Sequence, residues 1–318
     1  MGRKGKRRRR PSAPERSVQE RAPARPERVD KREEPEEQPR PRGLFASAGI
    51  PSPYPPLGRT MAASFPRAAR DPRILVIVFL FALGLWGAFT AIGAEPSPRV
   101  MVVFTALPPI STFFDAILTS SVVPGAVGAL AIVVGITIAR TIMLLAVIVL
   151  THRAVHEAGA PSPERHTLLG MLGSIFAIQA VELGLVLAVP IVVQAFLGPQ
   201  VGVLAAWILG LYLLAMAPII VAVERVSAAE ALRRSFRAAR LPGFRHTGLV
   251  MLYFAFVLWL TSITPTGPVP PATPTLLTWA ITLATSVVHV GFLAAFTYRW
   301  VSVREQVPAG PRKRSRTG

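Results

Sequence analysis

Long apolar runs constrain this chain more than any other feature of its sequence. Apolar residues make up 51% of the 318 residues, and the mean hydropathy is +0.46. Several uninterrupted runs approach or exceed the ~20 residues with which a helix crosses the hydrocarbon of a bilayer. Because backbone N–H and C=O groups must be paired inside the segment where no water is present, such runs fold as helices. The sequence therefore predicts an all-α integral membrane protein.

Six such runs predict a polytopic six-helix transmembrane bundle over residues 73–305. The predicted spans lie near residues 73–94, 122–150, 167–197, 201–223, 247–264 and 276–300. Between the first two spans, residues 95–121 contain an apolar stretch around Phe113 and Phe114. An interfacial helix and a short re-entrant segment both fit this stretch.

Positive charge is concentrated at the N-terminus. The net charge is +18, and residues 1–73 hold 19 of the 35 basic residues and 9 of the 17 acidic ones. Residues 1–72 are predicted to be a disordered, basic, Pro-rich tail, because they contain too little apolar surface to offset chain entropy. The cluster Arg3–Arg10 is more typical of a solvated topology signal than of a tether to anionic lipid or nucleic acid, so a nucleic-acid partner is not favoured. Met61 opens a second plausible translation start.

The connections between spans alternate between basic and nearly uncharged. Basic residues occur in the N-terminal tail, in residues 151–166, in residues 225–245 with six arginines, and in the tail at 306–318. The opposite connections hold Arg99 alone. By the positive-inside rule, the sequence predicts a multi-pass protein of the cell membrane with both termini and the 225–245 loop in the cytoplasm.

The 225–245 loop contains a predicted cytoplasmic amphipathic helix. Ser227 and Glu230 form an S-x-x-E capping box at its start. One helical stripe of the segment is apolar: Ala229, Leu232, Phe236 and Ala239. Such a helix lies in the headgroup plane, which predicts contacts with membrane lipids, anionic ones above all, or with a cytoplasmic protein partner. The predicted contact residues are Arg233, Arg234, Phe236, Arg237 and Arg240. The alternative is a loop helix that packs on the cytoplasmic ends of the spans and fixes topology.

Four polar side chains fall inside the predicted spans: Arg140, Gln179, Glu182 and His289. A charge in hydrocarbon costs several kcal/mol and therefore faces a partner or a water-filled cavity. At a rise of ~1.5 Å per residue, Arg140 and Glu182 lie at comparable depth from the cytoplasmic side. The sequence predicts an Arg140–Glu182 ion pair that either locks the second and third spans together or lines a solute or proton path. Gln179 lies one turn before Glu182, and His289 is typical of a satisfied buried histidine.

Motifs of catalysis are missing. The chain has no cysteine, H-E-x-x-H, G-x-S-x-G, P-loop or G-x-G-x-x-G, and the eight acidic residues outside the tail stand singly. His152 and His156 have metal-ligand spacing, but with only Glu157 and His166 nearby a solvated loop is favoured. We therefore expect no catalytic residue, no metal, no cofactor and no enzymatic activity.

Residues 217–244 carry a recognisable pattern. Pro218 with aliphatic neighbours and then Glu224 precede the run A-L-R-R-S-F-R, from Ala231 to Arg237. This resembles a signature of a family of bacterial six-span membrane proteins of unknown function, similar to the membrane domain attached to some glycerophosphodiester phosphodiesterases. The resemblance implies an all-helical polytopic fold and carries no settled activity. Two departures are a Pro242-Gly243 pair in place of a longer polar stretch, and Phe236 where Trp is common.

Two functions follow as expectations. The favoured one is a membrane-organising or interaction protein that engages anionic lipid or a cytoplasmic partner. The alternative is a transporter or channel component with a polar path through Arg140, Gln179, Glu182 and His289. Convergence of these side chains on a water-accessible cavity would favour transport, whereas a dry and mutually satisfied pair would favour organisation.

Overall fold

Within the residues that the computed structural model describes, the chain is all-helical. These residues are 52–91, 125–155, 167–197, 199–263 and 276–307. They form nine α-helices and a closing 3-10 turn, Arg304–Gln306. The helices are α1 (Leu57–Ala69), α2 (Pro72–Ala91), α3 (Gly125–Val155), α4 (Leu168–Leu197), α5 (Pro199–Leu214), α6 (Ala217–Glu224), α7 (Ala228–Ala239), α8 (Arg245–Ile263) and α9 (Leu276–Val303).

Four helical segments in the described part are long and apolar enough to cross a membrane. They are Val134–Val155 in α3, Leu168–Leu185 in α4, Leu204–Glu224 across α5 and α6, and Trp279–Gln306 in and after α9. A fifth crossing results if α1 and α2, which meet at a bend of 76°, count as one span. In α8 the apolar part, Arg245–Leu260, is shorter. By length and composition, the described helices thus provide four or five crossings, compared with the six predicted.

The outside of the helix bundle is apolar, as a lipid environment requires. Ile142 on α3 is 55% exposed, and Leu169 and Ile191 on α4 are 79% and 65% exposed. Soluble monomers rarely expose large contiguous apolar surfaces. These helices therefore have the surface of membrane-embedded segments.

The last part of the predicted N-terminal tail is folded. Residues 57–69 form α1, and Tyr54 ahead of this helix is fully buried. The inner face of α1 consists of Thr60, Ser64 and Ala68 and packs mainly against α9. Small and hydroxyl-bearing side chains do not produce the large apolar stripe that marks a helix in sequence, so the Pro- and Arg-rich composition dominated the prediction.

Several helix ends that the charge pattern predicts on one side of the membrane lie together at one end of the bundle. Nη1 of Arg67 on α1 donates to the carbonyl of Val155 at the end of α3, at 3.1 Å. Nη2 of Arg234 on α7 donates to the carbonyl of Val307, just beyond α9, at 3.1 Å. We call this region the arginine end: α1, α7 and the adjoining ends of α3, α6, α8 and α9.

Gly291 on α9 allows α1 to approach closely. A Cβ at this position would overlap the ring of Phe65 on α1, which in turn contacts Phe292 edge to face at 5.6 Å between centroids. We expect Gly291→Ala to destabilise the protein by about 1–3 kcal/mol, the usual cost of overpacking. The thermal midpoint in detergent, followed by size-exclusion chromatography, measures this loss. Gly173→Ala is the matched control, since a Cβ there meets nothing within 4 Å; it should leave the midpoint unchanged or raise it slightly, because alanine favours the helix.

Several predicted features lie outside the described residues. They are the cluster Arg3–Arg10 with the rest of residues 1–51, the segment 95–121, the histidines His156 and His166, and residues 308–318 of the C-terminal tail. Residues 306 and 307 of that tail belong to the packed arginine end, where Val307 is buried.

Candidate functional site

The four polar residues predicted inside the spans are all buried. The exposed fractions are 4% for Arg140 on α3, 6% for both Gln179 and Glu182 on α4, and 0% for His289 on α9. Arg140 interacts electrostatically with Glu182 and with His289. The structure thus brings side chains from three helices into one group.

Two further side chains belong to this group and were not predicted. Thr141, next to Arg140, accepts a hydrogen bond from Nε2 of Gln179 at 2.5 Å. The hydroxyl of Tyr253 on α8 lies 3.0 Å from Nδ1 of His289, and Tyr253 also interacts electrostatically with Arg140. A sequence signal for Tyr253 does exist, because a tyrosine in the middle of a span needs a partner for its hydroxyl. We call the six residues the polar cluster: Arg140, Thr141, Gln179, Glu182, Tyr253 and His289.

The polar cluster is closed. Exposed fractions of its six side chains run from 0% to 6%, so neither water nor lipid surrounds them. The attraction between Arg140 and Glu182 offsets part of the cost of burying both charges. The cluster joins α3, α4, α8 and α9, and this geometry fits a lock between helices; passage of a solute would require those helices to separate.

Arg234 does not face the membrane surface, contrary to the prediction. It is 6% exposed and forms an ion pair with Glu224 at the end of α6. Its Nη2 donates to the Val307 carbonyl at 3.1 Å, and its guanidinium lies 5.0 Å from the centroid of the Trp300 ring. Arg234 therefore anchors α7 to the ends of α6 and α9.

The buried face of α7 differs from the predicted stripe. The side chains that this face buries are Ala231, Arg234, Ser235, Ala238 and Ala239. Of the predicted stripe, Ala229 is exposed and Leu232 and Phe236 are half-buried. The small residues allow α7 to approach its neighbours, and the carboxylate of Glu224 compensates the one buried charge. In the folded protein, α7 therefore packs through a face other than its most apolar one.

Ser235 and His246 complete the hydrogen bonding of a broken span. The fourth predicted span breaks at residues 215–216, between α5 and α6. The Leu213 carbonyl accepts from Oγ of Ser235 at 2.5 Å, and the Tyr212 carbonyl accepts from Nε2 of His246 at 3.1 Å. These carbonyls lie in the last turn of α5, where carbonyls lack N–H donors from their own helix. Both side chains therefore have a structural role.

Three of the predicted lipid- or partner-binding residues lie on the outside of α7. Arg233, Arg237 and Arg240 are exposed, and we call them the arginine face. Ser227 caps the start of this helix as predicted, since its Oγ accepts from the N–H of Glu230 at 3.4 Å. The carboxylate of Glu230 pairs with Arg233 at 3.3 Å, an exposed contact of the kind that contributes little to stability.

Arg299 on α9 is buried, like Arg140 and Arg234, and the sequence did not single it out. It is 0% exposed; its Nε donates to Oγ1 of Thr60 at 3.3 Å and its Nη1 donates to the Arg245 carbonyl. The guanidinium also lies 5.8 Å from the centroid of the Tyr54 ring. An arginine near the end of a span is common at membrane interfaces, so its position alone does not mark it.

Comparison with known proteins does not identify the chain: it matches no family model, no curated protein and no solved structure. In the part of the chain that the structure describes, no three His, Cys, Asp or Glu side chains come together as metal ligands. The polar cluster and the arginine end are therefore the two groups from which a function is argued.

Proposed function

We propose that the protein organises the cell membrane around it by engaging anionic lipid headgroups through the arginine end, without enzymatic activity. The observation that carries this proposal is the arrangement of arginines on α7. Arg234 is buried against Glu224, while Arg233, Arg237 and Arg240 lie exposed on the outside of the same helix. A helix anchored in this way presents guanidinium groups at headgroup level, where each contributes roughly 1 kcal/mol near an anionic surface.

We also propose that the chain crosses the membrane six times and that both termini lie in the cytoplasm. The 19 residues of α8 give a length of about 28 Å, close to the ~30 Å of bilayer hydrocarbon. If α2 and α8 both cross, α3, α6 and α9 all end on the side where α7 lies. The contacts of Arg67 with Val155 and of Arg234 with Val307 support this arrangement.

A relation to the six-span family that resembles the glycerophosphodiester phosphodiesterase membrane domain stays a proposal. What supports it is that the residues of the pattern have structural roles. Pro218 follows the break between α5 and α6, Glu224 pairs with Arg234, and Ser235 binds the Leu213 carbonyl. These roles would hold α7 in place in any chain with the same pattern.

The arginine face makes the proposal testable. We expect the triple variant Arg233→Gln, Arg237→Gln and Arg240→Gln to lose most of the wild-type protein's stabilisation by anionic lipid, up to about 3 kcal/mol in all. The measurement is the unfolding midpoint of the reconstituted protein in phosphatidylcholine vesicles with and without phosphatidylglycerol. High salt should remove the same stabilisation from the wild type, because exposed charges are screened.

Lysine substitutions at the same three positions are the matched control. They keep the charge, so they should retain most of the lipid effect if the contact is electrostatic. Loss of the effect in the lysine variant would instead favour a fixed protein partner that reads the planar guanidinium groups. A wild-type midpoint that does not respond to phosphatidylglycerol would contradict the proposal.

Transport through the polar cluster is the second candidate function. In its favour, the cluster gathers ionisable side chains from four helices, as transport sites in membranes do. Against it stand the exposed fractions of 6% or less. The variants that separate the two candidates are those of Glu182, described below.

A further inference from the structure

The bend between α1 and α2 opens a basic cleft at the arginine end. The two helices meet at 76°. The lining residues come from the bend and from α3: Arg67, Arg70, Asp71, Pro72, Arg73 and Ala154. The cleft is open, with a volume of about 600 Å³. Three guanidinium groups face one carboxylate in its lining, and we call it the basic cleft.

The positive charge of the basic cleft is only partly neutralised within the described residues, since three guanidinium groups share the one carboxylate of Asp71. Oδ1 of Asp71 accepts from the backbone N–H of Arg73 at 3.0 Å, so this carboxylate caps α2. Arg67 donates to the carbonyl of Val155, which is a neutral group. In the part of the chain that is described, the guanidinium groups of Arg70 and Arg73 are exposed and have neither a hydrogen-bond nor an ion-pair partner. They are therefore available to an anion.

An apolar stripe on α2 continues from the basic cleft. Val76, Leu80 and Leu83 follow Arg73 at intervals of three or four residues and therefore share one face of the helix. They are 53%, 57% and 42% exposed. At ~1.5 Å per residue, the stripe extends about 15 Å beyond Arg73, which is half of the ~30 Å hydrocarbon thickness. This length corresponds to one leaflet and fits an acyl chain.

We propose that the basic cleft binds the phosphate of one anionic phospholipid, with Arg70 and Arg73 on the phosphate oxygens and an acyl chain along the apolar stripe of α2. Guanidinium groups suit this task because their planar N–H pairs match phosphate oxygens. The inference rests on the proposed function, since it requires the bend at the headgroup level of an anionic leaflet. It goes further in assigning a single retained lipid to a concave site, whereas the arginine face only enriches anionic lipid around α7.

Native mass spectrometry of the full chain tests the assignment. The protein is released from nanodiscs that contain equal amounts of phosphatidylglycerol and phosphatidylcholine, and retained lipids are counted. Wild type should retain one phosphatidylglycerol, and the double variant Arg70→Gln, Arg73→Gln should bind it at least roughly tenfold more weakly. The double variant Arg59→Gln, Arg304→Gln removes the same charge from two exposed arginines that belong neither to the basic cleft nor to the arginine face, and it should retain the lipid. Arg70→Lys, Arg73→Lys should retain it in part.

Each contrary outcome has a distinct meaning. If both glutamine variants lose the lipid equally, binding is diffuse and the site at the bend is refuted, while the proposed function stands. If wild type shows no preference for phosphatidylglycerol, both are refuted. If millimolar inorganic phosphate displaces the lipid and binds in its place, the cleft takes soluble anions and the lipid assignment is wrong. Persistence of the lipid in the variant that lacks Arg70 and Arg73 would also overturn the assignment.

Discussion

Glu182→Leu is expected to lower the free energy of unfolding by about 3–5 kcal/mol, because the Arg140 guanidinium would remain charged and buried without its carboxylate. Arg140 and Glu182 are 4% and 6% exposed and interact with each other across α3 and α4. The folded fraction during titration with a denaturing detergent in mixed micelles measures this loss. The substitution removes little volume, so the loss reports on charge rather than on packing.

A second substitution separates the electrostatic interaction of Arg140 with Glu182 from general damage to the fold. Arg140→Met combined with Glu182→Leu removes both charges together with their desolvation cost, and it should recover most of the lost stability. Glu182→Gln should lose less than Glu182→Leu, because the amide oxygen still accepts a hydrogen bond. An unchanged folded fraction in all of these variants would eliminate the lock. If Glu182→Gln instead abolished proton or solute flux in proteoliposomes without a change in stability, the transport function would replace the organising one.

Tyr54→Ala is expected to cost about 3–5 kcal/mol, the range for removing a large buried ring. Tyr54 is 0% exposed and lies ahead of α1, where its hydroxyl donates to the Ala238 carbonyl at 2.7 Å and its own carbonyl accepts from Nη1 of Arg245 at 2.6 Å. Its ring also faces the guanidinium of Arg299 at 5.8 Å and stacks on His246 at 5.4 Å. Thermal midpoints in detergent measure the loss.

Tyr54→Phe keeps the ring and serves as the control for packing. It should cost only about 1–2 kcal/mol, because one buried carbonyl loses its donor. Burial raises the pKa of Tyr54 above its ordinary value of 10.0. The folded state therefore holds the phenolic proton more tightly than the unfolded chain, and this contribution is complete below about pH 10 and declines as the pH rises further. Stability of the wild type should consequently fall more steeply above that pH than stability of the Tyr54→Phe variant.

The contacts of Tyr54 also predict how truncation at Met61, the second candidate translation start, affects stability. A chain that begins at Met61 would lack Tyr54 and Thr60 and hence three contacts of Arg299 and Arg245. It should be less stable than a chain that begins at Ser52, which retains them. Equal midpoints for the two truncated chains would show that residues 52–60 contribute nothing to stability.

The sequence singled out four residues of the polar cluster, all of which are buried, and left their purpose open. Arg140, Gln179, Glu182 and His289 stand out because a polar group inside a hydrocarbon-length run is costly, and a residue count along the helix gives its depth. Tyr253 and Thr141 were missed because both residue types also occur singly in spans without forming a network. The roles of Arg234 and Arg299 were beyond prediction for a different reason. An arginine near a span end is normally exposed, and only the positions of Glu224, Thr60 and the neighbouring carbonyls make burial tolerable.

The sequence by itself determined those properties that depend on whether each residue is surrounded by water or by lipid. These are helical secondary structure, membrane-crossing length and the alternation of basic connections. Each follows from the free-energy cost of placing a backbone amide or a guanidinium in lipid, or an apolar side chain in water. That cost arises separately at each residue, so a local pattern reveals it. Tertiary structure alone decided that α1 packs inward through Thr60, Ser64 and Ala68, and that α7 buries Arg234 rather than Phe236. Those choices depend on which carboxylates, carbonyls and rings come within reach from distant parts of the chain, and such distances are absent from any local pattern.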